Sequence, residues 1–510
     1  MSPTPFFFSL PSRVRLLLVL VCALHVGLGA LLGLSVDEAH YALYAAHLDW
    51  SYFDHPPLVG WAQWPLVAWN APTAILRLVP ELLWLATALL VYALAERLQN
   101  GAPTDGKLAT PPGQAGFWAL VALALAPLQH VLGIGLLPDT LLVFFTVATV
   151  WLTLDLMDTA TQRRPWPWLA LGIVLGLAGL SKYTAIFAAI AAGLCLLQVH
   201  GFGLLRNARL WMALALALLF VVPVAYWNSQ NHWISFTYQA QHGAGGGWQV
   251  VHVLRFMTVQ LLVYGPLLLW GWTGWQRSTT GHAGRSLGLF FALPFVVLAL
   301  LSGGGTSLPH WTAPACAALA PFAGLGLARA WQCGHRWLIR GLVLVQGLLC
   351  VAVFGLMLSA GLPLFTNADG QGNTAQPSNP FADLHGWDIA GARALALAQQ
   401  QGLASVAVQN WTLASRLGWY ARPLPVHVLE DRFDQFDLWA GDLAVGGDTL
   451  LVDWSQLGYA PPVGAHGFAD CTLLDTQDVQ RLGRVVSRFR YYACHRWSGQ
   501  PQPRLLGAAS

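Results

Sequence analysis

Charge is scarce in this sequence: only 10% of its 510 residues are Asp, Glu, Lys or Arg, and the formal net charge is +3. No basic tract occurs, so nucleic acid is excluded as a natural partner. No nucleotide-binding glycine fingerprint and no soluble-domain repeat is present. Cysteine is sparse too, with seven residues and neither a CxxC nor a Cys/His zinc pattern. Five of them (Cys22, Cys195, Cys316, Cys333, Cys350) stand singly in apolar segments, where cysteine behaves as a small hydrophobe. Cys471 and Cys494 share a polar C-terminal region and are placed to pair if that region faces an oxidising compartment.

What the sequence has instead is apolar length. Hydrophobic residues make up 56% of it, and runs near the bilayer-spanning length recur from residue 16 to residue 360. Arg13 and Arg15 precede the first run, Leu16–Leu34, and no small-residue cleavage site follows it. This predicts an uncleaved first helix. Ten more spans are expected near 72–95, 115–133, 140–157, 166–180, 183–199, 210–226, 255–273, 286–302, 311–330 and 341–360. With the N-terminus inside, thirteen basic residues fall on the cytoplasmic side. Only Arg77, Lys182 and Arg255 fall on the other. An odd number of spans then places the C-terminal region outside the cytoplasm.

From Gly361 the composition changes. Asn367–Pro380 (NADGQGNTAQPSNP) reads as a linker. Trp387–Gln401 and Thr412–Tyr420 read as helices; Ser405–Gln409, Val426–Leu429, Thr449–Asp453 and Arg484–Tyr492 read as strands. The expected architecture is a multi-pass α-helical membrane domain over residues 1–360, a linker over 361–385 and a small α/β domain over 386–510. The 25 tryptophans suit interfacial belts and sugar-stacking surfaces alike.

The polar residues gather on the outer face. Ser35–Pro57 (SVDEAHYALYAAHLDWSYFDHPP) holds Asp37, Glu38, His40, Tyr41, His47, Asp49, Asp54 and His55 directly after the first span. Ionisable groups beside a bilayer are costly, so their clustering marks a site. Ser35-x-x-Glu38 fits a capping box, which accounts for Glu38 but leaves Asp37 free to orient or deprotonate a hydroxyl. Two prolines after Asp54-His55 preset that turn, where a carboxylate and an imidazole suit a divalent metal or a phosphate. Asp139 follows Pro138 at the start of a span, where an N-cap role competes with a functional one. Lys182 lies between two apolar helices and either snorkels to the interface or neutralises a phosphate. Trp227–Gly243 (WNSQNHWISFTYQAQHG) carries His232 and His242, and His310-Trp311 opens a later span.

Asp37–Leu58 (DEAHYALYAAHLDWSYFDHPPL) resembles the membrane-embedded glycosyltransferases of the GT-C class. The likeness is strongest to bacterial relatives of the protein O-mannosyltransferases and of the aminoarabinose transferase that modifies lipid A. LPDTLLVFF (Leu137–Phe145), GLSKYTAIF (Gly179–Phe187) and Trp227–Gly243 carry the likeness onward, with LPHWTAP (Leu308–Pro314) and ASRLGWY (Ala414–Tyr420) as weaker matches.

The resemblance implies transfer of a sugar from a polyprenyl-phosphate carrier, with inversion, to an acceptor outside the cytoplasm. It implies Asp37 as the principal carboxylate, with Asp139 and Glu38 as further acids. Asp54 and His242 would hold a divalent metal, and His55, Lys182 and His40 would meet the donor phosphate. Tyr41, His232 and His310 are candidates to line the substrate. His55 and His40 stand where that family has lysine and arginine, which leaves the sugar open. The acceptor expected is lipid A or another envelope glycan, and the location a bacterial inner membrane with the active site on the periplasmic side. Rival readings are a flippase or transporter, a protein O-glycosyltransferase, an O-antigen ligase or polymerase, and a structural or sensor role. External polar loops without repeat symmetry favour the transferase.

Overall fold

A computed structural model of the chain describes residues 10–101, 111–276, 281–365, 379–457 and 459–501. Among these, eight helices are long and apolar enough to cross a bilayer: Ser12–Leu31, Thr73–Asn100, Pro138–Leu156, Tyr183–His200, Ala208–Gln230, Gly284–Gly304, Pro309–Gln332 and Arg336–Leu358. Two more expected spans are broken helices. Gln114–Ala124 meets Pro127–Ile134 at 81°, and Val250–Tyr264 meets Pro266–Gln276 at 93°. The remaining expected span is the shorter apolar helix Pro165–Ser181.

Both breaks have a local cause. Pro127 lacks a backbone donor and forces Ala126 into an extended conformation (φ −98°, ψ 103°), which no α-helix continues through. At the second break Gly265 takes φ +32° directly before Pro266. A Cβ there would approach the Gln346 side-chain oxygen to 2.7 Å, so this bend requires glycine.

The chain divides into two compact units: Met1–Gly27, Trp50–Val59 and Arg77–Val351 form the first, and Leu28–Asp49, Gly60–Leu76 and Ala352–Ser510 the second. The helical first unit contains a buried hydrogen-bonded chain that no periodicity announced. Glu81 Oε2 lies 2.7 Å from His25 Nδ1, and His25 Nε2 lies 2.8 Å from His130 Nδ1. His130 Nε2 then donates to the Ala124 carbonyl at 2.7 Å, a group freed by the first break. Gly133 makes room for it: a Cβ there would lie 2.5 Å from His25 Cε1 and 3.1 Å from Trp84 Cδ1.

The second unit is built on a five-stranded sheet of order β2-β1-β3-β5-β4, comprising β1 (Val406–Val408), β2 (Val426–Val428), β3 (Thr449–Trp454), β4 (Phe468–Arg481) and β5 (Arg484–Trp497). β1 runs parallel to β2 and β3, whereas β5 is antiparallel to β3 and β4. Cys471 and Cys494 face each other across β4 and β5 and are joined by a disulfide. Helices Trp387–Gln401 and Trp411–Tyr420 cover a core that includes Trp387, Leu417, Val452, Trp454 and Phe489. The helix Val36–Ala46 also belongs to this core through Leu34, Ala39, Ala42 and Leu43. Strand β4 was not expected. Its residues are mostly exposed or half-buried, so it lacks the alternation by which a one-sided strand is read. Most of the expected linker lies outside the described residues.

Candidate functional site

In the first unit the site begins at a helix start. Leu137 is extended (φ −115°, ψ 161°), Pro138 opens the helix at the position where no donor is needed, and Asp139 follows in its first turn. Leu137, not Asp139, occupies the N-cap, and Thr140 closes the turn by accepting from the Leu137 N–H at 3.2 Å. The Asp139 carboxylate is therefore released from capping. It is 2% exposed, and its Oδ2 lies 2.6 Å from Lys182 Nζ and 3.7 Å from His310 Nε2. Its Oδ1 is buried without a hydrogen-bond partner.

Lys182 does not snorkel. Helix Pro165–Ser181 ends just before it, and in an extended conformation (φ −158°, ψ 144°) it turns inward, 6% exposed. Its ammonium stands 5.8 Å from the centre of the Trp311 ring. Trp311 also lines a cleft with Leu142, Thr146, Phe187, Phe290 and Pro294. His55 acts electrostatically on Asp139 as well, so one carboxylate faces an ammonium and two imidazoles. The ammonium and carboxylate balance each other, and the imidazoles add N–H donors that suit an anion.

The turn bearing Asp54 and His55 is pinned by the helix Ile234–Ala244. The Tyr52 carbonyl accepts from Ser235 Oγ at 2.8 Å, and the Asp54 carbonyl accepts from Gln239 Nε2 at 2.5 Å. The Phe53 and Tyr238 rings are 4.6 Å apart. His232 is exposed at the turn before that helix, in a left-handed conformation (φ +54°). The His242 side chain lies outside the described residues. Among those described, no three His, Cys, Asp or Glu side chains converge as a metal ion would require.

Sequence reasoning missed two buried phenols of this unit. Tyr264 is fully buried beside Thr312 and feels the charge of Asp139. The buried Tyr183 hydroxyl lies among Ser235, Ser51 and Asn228 and feels Asp54. Both tyrosines border apolar runs, where an aromatic ring reads as packing.

In the second unit Ser35 and Glu38 form the expected capping box. The Ser35 N–H donates to Glu38 Oε2 at 3.0 Å, and the Glu38 N–H donates to Ser35 Oγ at 3.3 Å. This starts the helix Val36–Ala46 and places Asp37 in its first turn, half-buried. Tyr41 is 6% exposed and packs on Tyr44. His40 is 4% exposed, with Nδ1 3.0 Å from Ser415 Oγ and its ring among Tyr44, Trp411, Phe436 and Trp439. Arg416, a buried residue of the C-terminal domain, feels the charge of Asp37.

The sequence profile of the dolichyl-phosphate-mannose-protein mannosyltransferase family matches residues 54–227, a stretch that contains His55, Asp139 and Lys182. The lipid A galacturonosyltransferase RgtD of Rhizobium johnstonii is 25% identical over 367 residues, covering 69% of this chain and 74% of that protein. The chain is thus similar in sequence to the GT-C membrane glycosyltransferases. Its fold is that of ArnT from Cupriavidus metallidurans. The apo structure of that protein superposes with a TM-score of 0.59 at 18% identity, over 96% of this chain and 99% of that one. The same protein bound to undecaprenyl phosphate gives 0.58 at 17% identity, over 96% and 98%. The buried acid–base group of the first unit lies inside the family-matched stretch, except for His310.

Proposed function

We propose that this enzyme transfers a sugar from a polyprenyl-phosphate donor to lipid A or a related envelope glycolipid, on the periplasmic side of a bacterial inner membrane. The observation that carries the reading is the buried Asp139–Lys182–His310 group, in a chain that aligns with three-quarters of a lipid A galacturonosyltransferase. A polyprenyl phosphate gains negative charge as its glycosidic bond breaks. Lys182 supplies an ammonium, and His310 and His55 supply imidazole N–H donors, for that charge in a water-poor setting. The ArnT neighbour binds undecaprenyl phosphate, which supports a donor of that chemistry.

Asp37 is assigned to the acceptor. The acceptor oxygen bonds to the anomeric carbon, the bond from that carbon to the phosphate oxygen breaks, and the hydroxyl proton passes to Asp37. The lipid phosphate leaves with the electron pair, and the anomeric centre inverts. The excess of basic residues on the cytoplasmic loops and the Cys471–Cys494 disulfide both support a periplasmic C-terminal domain.

The test is transfer in proteoliposomes from a panel of radiolabelled polyprenyl-phosphate sugars, galacturonosyl first, to extracted lipid A. Label is expected in lipid A with the wild type and not with a folded Asp37→Asn enzyme. Label that crosses the bilayer unchanged on its carrier would establish a flippase instead. Label passing only to added protein would establish a protein glycosyltransferase.

A further inference from the structure

Arg416 is the residue of the second unit whose surroundings packing alone does not explain. It is 1% exposed, and its guanidinium carbon sits 3.9 Å from the centre of the Trp387 ring and 5.1 Å from that of Trp454. Its Nε donates to the Thr412 carbonyl one turn back at 3.0 Å, and its Nη1 pairs with Asp383. Enclosing a guanidinium between two indoles removes most of its water, which an aliphatic side chain of that volume would avoid. Burial pushes its pKa down to about 9, and the charge of Asp37 works against that fall.

The helices carrying the two residues are in direct register. His40 meets Ser415 at 3.0 Å, and Leu43 packs on Gly418, where an added Cβ would come 3.1 Å from Leu43 Cδ1. Asp37 lies one turn before His40, and Arg416 is the neighbour of Ser415. The contact that fixes these helices therefore holds Asp37 within electrostatic reach of Arg416.

We infer that Arg416 is a positioning residue for the transfer: from the C-terminal domain it keeps Asp37 ionised and aims its carboxylate, while Asp383 holds the guanidinium from a second side. The inference rests on the assignment of Asp37 to the acceptor. A cation beside a base lowers its basicity, so the gain lies in direction and protonation state, and sharing the charge with Asp383 keeps the loss small.

The experiment measures kcat, KM and the pH dependence of kcat for Arg416→Met, Arg416→Lys, Asp383→Asn and Asp37→Asn in proteoliposomes. Thermal melting of each detergent-solubilised enzyme reports folding. Without the cation Asp37 binds its proton more tightly, so the acid limb of Arg416→Met moves to higher pH by about one unit. Its kcat falls on the order of 10- to 100-fold, and KM for the donor stays within about twofold. Arg416→Lys restores the limb but not the full rate, because the planar fork is lost. Asp383→Asn concentrates the cation on Asp37 and moves the limb to lower pH. These two variants decide the matter if Arg416→Met does not fold.

Acid limbs that stay in place in every folded variant would overturn the inference and leave Arg416 a packing residue. A folded Asp37→Asn enzyme with full activity would instead remove the assignment on which the inference rests.

Discussion

Replacing Lys182 by Met tests the core of the first unit. The ammonium lies 2.6 Å from Asp139 Oδ2, a separation worth about 6 kcal/mol of attraction at the effective dielectric of a protein site. Desolvation of both ions takes part of that back, so the net worth of the pair is much smaller. The variant, however, leaves a carboxylate 2% exposed whose Oδ1 already lacks a partner and whose Oδ2 retains His310 at 3.7 Å. Stranding one member of a buried pair costs about 3–5 kcal/mol. Equilibrium unfolding in detergent should show a loss of that size for Lys182→Met. The double variant Lys182→Met/Asp139→Asn should recover most of it, since no buried charge remains. Activity should not recover, because the lipid phosphate has lost its cation. A single variant as stable as wild type would refute the energetic argument, and a double variant that is both stable and active would refute the phosphate role.

Three further outcomes follow from the same reasoning. Gly133→Val should drive His25 out of the Glu81–His130 chain, through a Cβ 2.5 Å from the imidazole, and destabilise the enzyme by about 1–3 kcal/mol or more in the same unfolding assay. Cys471→Ser/Cys494→Ser opens a link spanning 23 residues and should cost about 3 kcal/mol. In intact cells the wild-type pair should resist alkylation until reductant is added. Burial pushes Asp434 up to about 7, so the folded state holds a proton that the unfolded chain releases from about pH 4 upward. Stability of the C-terminal domain should fall as pH rises through that window. Asp434→Asn should flatten the dependence and raise the melting temperature at pH 8, whereas an unchanged slope would exclude Asp434 as its source.

The spans were legible because each is an apolar run near the bilayer-crossing length, and that property is local. The breaks were written in the sequence as well, in Pro127 and Gly265-Pro266, but an average over twenty residues conceals a single proline. Asp139 and Lys182 were each visible as an isolated charge. Their pairing was not, since 43 residues separate them and each had a sufficient local explanation in capping or snorkelling. His25, Glu81 and His130 each left no signal beyond a polar residue in an apolar helix, and their partners lie 56 and 105 residues away. Arg416 stood in a recognisable segment, but only the packing of Trp411–Tyr420 on Val36–Ala46 brings it within the field of Asp37.

The Glu81–His25–His130 chain has a definite direction. The Ala124 carbonyl only accepts, so His130 carries its hydrogen on Nε2, and as a neutral ring it receives at Nδ1 from His25 Nε2. A single proton then lies between His25 Nδ1 and Glu81 Oε2. Placed on either side, it leaves every bond in the chain intact and the sum of charges at zero. Three helices are fastened across the hydrocarbon layer by polar groups that present the lipid with no net charge, whichever side the proton takes. Glutamine at position 81 can still donate to His25 and keep the fastening, whereas leucine would leave an imidazole nitrogen stranded in oil.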